Sequence, residues 1–134
     1  MSQRPTGRYG AEYLIATGAV LAGLGVAAGA FGTHLLRERF IGDEIDVWRA
    51  ASNYQMYHAL ALIAAARLLA RQPTRLLRIS CGLFIAGIVL FSGSLYLMVL
   101  SGSTAFGLFT PIGGTAFLAA WACLAIGVVR ANRF

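Results

Sequence analysis

Long apolar runs alternate with short charged zones along the chain, and the runs have the length of membrane-crossing helices. Tyr13 to Leu36 holds no charged residue, and a helix rising ~1.5 Å per residue needs only ~20 apolar residues to cross the hydrocarbon. A span is predicted over about 13–36. Arg4 and Arg8 precede it, as basic residues precede a cleaved signal sequence. The run exceeds the usual ~7–15-residue apolar core of such a signal and further spans follow, so it reads as retained.

Asp43 is expected to cap a helix starting near Glu44, with Asp46 favourable at its positive end. This second span, about 48–70, starts at Trp48, which reads as an interface anchor. Ser52, Asn53, Gln55 and His58 make it the least apolar of the set. Gln72 and Pro73 break it. The third span, about 79–100, is uncharged throughout. Pro111 suits the first turn of a fourth, about 108–129, with Thr110 as N-cap; a helix from Ala105 kinked at Pro111 is the alternative reading.

Composition supports a lipid solvent: 58% of residues are hydrophobic and 12% charged, against about 45–50% and 25% in soluble domains. The net charge of +6 comes from arginines alone, all beside apolar segments and spread over several loops. They lack the single basic face that phosphate recognition requires, so nucleic acid is not an expected partner. By position, the N-terminus, second loop and C-terminus hold two, four and two arginines, and the first and third loops three and none. That bias predicts cytoplasmic termini. The reading is an all-α membrane protein: a single integral membrane domain, a four-transmembrane-helix bundle, N-in/C-in. Cys81 and Cys123 fall within apolar runs and read as small packing residues.

Gly18, Ala22, Gly25, Gly29 and Gly32 recur at steps of four and three, on one helical stripe. Small residues let helices approach closely in lipid, within the bundle or between copies. Gly113, Ala116, Ala120, Cys123 and Gly127 form a second stripe, so the fourth span is expected to pack on the first. Intramembrane His34, Gln55, His58, Ser92, Ser94 and Tyr96 all fall in the outer half under this topology. Polar groups there need partners, so a shared hydrogen-bonded cluster is expected, either structural or functional. His34 and His58 are expected at similar depth, facing the interior. As a haem or metal pair they lack a further ligand that would specify a metal. No span embeds an acid, and Ser92 or Ser94 with His58 lacks the orienting carboxylate of a hydrolase.

Four segments carry a likeness: Gly29-Ala-Phe-Gly-Thr-His34, Tyr54-Gln-Met-Tyr-His-Ala-Leu60, Leu90-Phe-Ser-Gly-Ser-Leu-Tyr96 and Thr110-Pro-Ile-Gly-Gly114. In this order they resemble the YgdD-like family of small four-helix membrane proteins of unknown function, with Thr33 where the family pattern has alanine. The resemblance implies a bacterial inner-membrane location and brings no catalytic residue. The expected role is a non-enzymatic multi-pass component that packs against lipid, itself or a larger membrane complex, with no cofactor. The alternatives are a small oligomeric transporter or channel using the polar cluster, and a haem- or metal-binding redox subunit.

Overall fold

The computed structural model describes residues 6–40 and 42–132, with side chains from residue 10 onward. Arg4 and Arg133, two of the arginines behind the predicted topology, lie outside these residues, as does the side chain of Arg8. Every regular element among the described residues is helical. Helix α1, Thr6–Phe31, runs on through a π turn, Gly32–Leu36. Helix α2 covers Asp43–Arg71. Helix α3, Arg75–Gly87, continues through a π turn at Ile88–Ser92 into α4, Gly93–Ser101. A 3-10 turn, Thr104–Leu108, precedes α5, Thr110–Ala131. These segments form four rods. Gly10–Leu36, Arg75–Ser101 and Thr104–Ala131 are each long and apolar enough to cross a membrane.

The helix ends follow local chemistry, with two departures from expectation. Asp43 is the first residue of α2 rather than its cap; Gly42 takes the cap position at φ 92, in the region that favours glycine. Asp43, Glu44 and Asp46 thus share the first turn, where negative charge faces the helix's positive end. Thr110 likewise lies inside α5, with Phe109 at the cap, and its hydroxyl turns to Ser94. Thr74 caps α3 by accepting from the Leu77 amide, and Gly102 ends α4 in the left-handed conformation.

Helix α2 is the hub. It packs on α1 on one side and on the α3–α4 rod on the other, while α5 packs on α3. The predicted pairing of the first and fourth spans is therefore wrong: α1 and α5 share no packed interface among the described residues. The reason lies in α2, whose Ala51, Ala59, Ala61, Ala65 and Ala66 are buried. These small side chains let helices close in on two sides at once, and α2 takes the central position. Leu62, Leu69, Leu77, Cys81, Phe84, Ile88, Phe117 and Ala120 complete the main core. A smaller cluster at the other end joins Leu36, Trp48 and Val99. Large apolar side chains such as Val20, Leu24, Leu60, Val89, Leu118 and Ile126 point outward, as expected where the surroundings are hydrocarbon.

Candidate functional site

Several polar side chains of the bundle bond between helices, mostly to backbone carbonyls. Gln55 is buried on α2; its Nε2 donates to the Leu21 carbonyl of α1 at 2.8 Å, and its Oε1 accepts from the Tyr96 hydroxyl of α4 at 2.8 Å. One amide therefore ties three helices. Ser92, fully buried in the π turn, donates to the Ala51 carbonyl of α2 at 2.8 Å. Ser94 donates to the Phe91 carbonyl at 2.9 Å and shares a 2.7 Å hydrogen bond with Thr110 of α5. Among the described residues, no buried side-chain nitrogen or oxygen lacks a partner.

The structure separates the two histidines. His58 is buried, its Nδ1 lies 2.7 Å from the Tyr54 carbonyl, and its ring stacks on Phe117 with centroids 3.5 Å apart and planes 8° apart. A carbonyl only accepts, so Nδ1 carries the proton. Phe84 and Trp121 surround the same imidazole. His34 is exposed on the π turn and makes no hydrogen bond among the described residues. The antiparallel register explains the separation. Gly32 meets Trp48 and Gly25 meets Gln55, so the histidines stand about twelve residues apart in depth, ~18 Å at ~1.5 Å per residue. The expectation that they face one interior site at similar depth is corrected: this register sets His58 level with Ala22, far below His34.

The glycine stripe of α1 faces α2 rather than α5. A Cβ on Gly18 would fall 2.6 Å from Ile63 Cγ1 and 3.0 Å from the Ala59 carbonyl, and one on Gly32 would enter the Trp48 indole. Gly25 and Gly29, the literal G-x-x-x-G, are looser, with nearest neighbours 3.6 Å and 3.7 Å away. Ala22, on the same stripe, is half-buried. On α5, Gly113 abuts the Phe91 backbone and Gly127 meets Leu77, while Ala120 is fully buried and Ala116 and Cys123 half-buried. Gly87, outside both stripes, meets the Phe117 ring.

Three interhelical bonds escape sequence reasoning. Trp48 is buried and ties α2 to its neighbours: its Nε1 donates to the Ala28 carbonyl at 2.7 Å, and its ring lies 4.6 Å from that of Tyr96. Ser80 donates to the Ala120 carbonyl at 2.8 Å. Thr110 meets Ser94. Ser80 had one signal, since it shares a helical face with Leu77 and Phe84. Among the described residues, no group of three or more His, Cys, Asp or Glu is placed to hold a metal ion.

Three apolar helices, a polar hub helix and inward-turned side chains bonded helix to helix define a small helical membrane protein. Comparison with known proteins makes the class specific. The family described as protein of unknown function DUF423 matches residues 28–114. The UPF0382 membrane protein SSP2132 of Staphylococcus saprophyticus is 39% identical over 119 residues, 89% of this chain and 98% of its own. YwdK of Bacillus subtilis, a UPF0382 membrane protein, is 38% identical over 121 residues, 89% of this chain and 98% of its own. The UPF0382 inner membrane protein YgdD of Escherichia coli K12 is 37% identical over 108 residues, 81% of this chain and 82% of its own. The chain belongs to this family of membrane proteins. No solved structure matches.

Proposed function

We propose that the chain crosses the membrane four times with both termini in the cytoplasm, and that it serves as a non-enzymatic structural component rather than a catalyst or conduit. The fourth crossing is α2. It runs antiparallel to α1, with Trp48 against Gly32 and Ile63 against Gly18, so a helix that follows α1 this far through the bilayer crosses with it. Its low hydropathy comes from Ser52, Asn53, Gln55 and His58, of which all but the exposed Asn53 are buried and bonded. Orientation follows from arginine: the second loop and both termini hold eight of the eleven.

One observation carries the functional reading: among the described residues, the buried polar side chains already satisfy one another or a neighbouring backbone. A binding or transport site keeps hydrogen-bonding capacity for its ligand, whereas here that capacity holds helices together. Cysteines introduced at Asp43 and Arg75 should label from opposite sides of the membrane, with Arg75 cytoplasmic; labelling from one side would remove the α2 crossing. Reconstituted protein should leave the proton, sodium and potassium permeability of liposomes at the level of empty vesicles. Conduction abolished by Gln55→Leu would overturn the structural role and make the cluster a pathway.

A further inference from the structure

A cleft of about 270 Å³ opens between the end of α1 and the first half of α2, lined by Gly29, Thr33, Trp48, Arg49, Ser52 and Asn53. It is separate from the Gln55–Tyr96 network. Gly29, with only the Ser52 hydroxyl 3.7 Å from where a Cβ would stand, leaves its floor open, and Ser52 donates to the Arg49 carbonyl of its own helix. Arg49 and Asn53 stand one turn apart on the outer flank of α2, both exposed. Arg49 pairs with Asp46 at 3.1 Å, with side chains 58% and 74% exposed. Asn53 makes no hydrogen bond among the described residues. An exposed amide on a crossing helix costs free energy until something polar meets it.

We propose that this cleft binds the headgroup of a zwitterionic aminophospholipid, with the phosphate on Arg49, the ammonium on Asp46, and the glycerol ester region on Asn53 and Thr33. Depth supports this occupant. In the α1–α2 register Arg49 stands level with Phe31, just before Gly32, about five residues or ~7.5 Å below the apolar end of α1 at Leu36. From that level, at the edge of the hydrocarbon, an arginine stem snorkels outward to a phosphate in the headgroup layer. Asn53 lies one turn deeper, where ester carbonyls accept hydrogen bonds. Below the cleft, Val26 and Leu60 leave an exposed apolar flank on which an acyl chain can lie.

Charge selects the headgroup. The zone from Arg37 to Arg49 carries three arginines against Glu38, Asp43, Glu44 and Asp46, so it offers a purely anionic lipid no net attraction. An arginine beside an aspartate matches a phosphate beside an ammonium. A trimethylated ammonium would lack the N–H donors that Asp46 can accept from.

The site rests on the four-span reading through the α2 crossing alone, and the labelling at Asp43 and Arg75 tests that separately. The test is native mass spectrometry of protein extracted in mild detergent from bilayers holding equal phosphatidylethanolamine, phosphatidylglycerol and phosphatidylcholine. Wild-type protein is expected to retain phosphatidylethanolamine about fivefold above either competitor. Arg49→Gln and Asn53→Leu should each bring retention down to the bulk ratio while keeping wild-type helicity by circular dichroism. Arg37→Gln, at the same end but outside the cleft, should keep the enrichment. Retention of the three lipids in bulk proportion, preference for phosphatidylglycerol, or equal loss in Arg37→Gln would overturn the site.

Discussion

Replacing Gly113 by alanine places a methyl group where the backbone of Phe91 already stands. The new Cβ would fall 2.8 Å from the Phe91 Cα and Cβ and closer still to its backbone nitrogen. Backbone atoms cannot swing aside as a flexible side chain can, so α5 must move off the junction of α3 and α4. Overpacking of this kind costs about 1–3 kcal/mol. Displacement of α5 also strains the 2.7 Å Ser94–Thr110 bond one turn away, worth about 0.6–1.7 kcal/mol in a membrane. Alanine returns about 0.5–1 kcal/mol through its lower backbone entropy in the unfolded state. The net expectation is a loss of about 0.6–4 kcal/mol. Gly25→Ala should behave oppositely, because its Cβ would meet Gln55 at an ordinary 3.6 Å, leaving a neutral effect or a gain of up to about 0.5–1 kcal/mol. Steric trapping in bicelles reads both changes on one scale. Gly113→Ala at or above wild-type stability, or Gly25→Ala below Gly113→Ala, would refute the assignment of tight and loose glycines.

Tyr96→Phe should destabilise by about 0.6–1.7 kcal/mol and Gln55→Leu by more, since it also frees the Leu21 carbonyl, and their double mutant should lose less than the sum because both remove one shared bond; additive losses in the same assay would mean that the bond contributes nothing. His58→Leu should destabilise by about 1–3 kcal/mol through loss of the stacked, bonded imidazole, whereas His34→Leu should stay within about 0.5 kcal/mol. Equal effects would return the histidines to one site. Ser80→Ala should cost about 0.6 kcal/mol and Ser80→Val more, since a bulkier group presses on α5 at Ala120; a stabilised valine variant would contradict the tight α3–α5 contact.

The separation of legible from illegible features runs along the difference between local and relative properties. Apolar run length is local, so the all-helical membrane class, the helical stretches around 13–36, 79–100 and 108–129, the break at Gln72 and Pro73, and the family likeness in four short motifs were all readable from the chain. The need of Gln55, Ser92 and Ser94 for partners was readable too, because an apolar solvent leaves a polar side chain no alternative. Partner identity was not. Glycine periodicity marks a face open to close approach but not the helix that approaches, and the buried alanines of α2, unremarkable in an apolar sequence, made α2 rather than α5 the answer to α1. The kind of residue at Trp48 did not tell its partners, which the antiparallel register makes Gly32 and the Ala28 carbonyl. The same register, a sum over the whole α1–α2 contact that no single residue encodes, put His34 and His58 some ~18 Å apart and opened the cleft beside Arg49 and Asn53. The sequence by itself determined that this chain lives in lipid and must satisfy its polar groups internally; only the tertiary structure decided which helices meet and at what level, because those choices depend on the shapes of two surfaces at once.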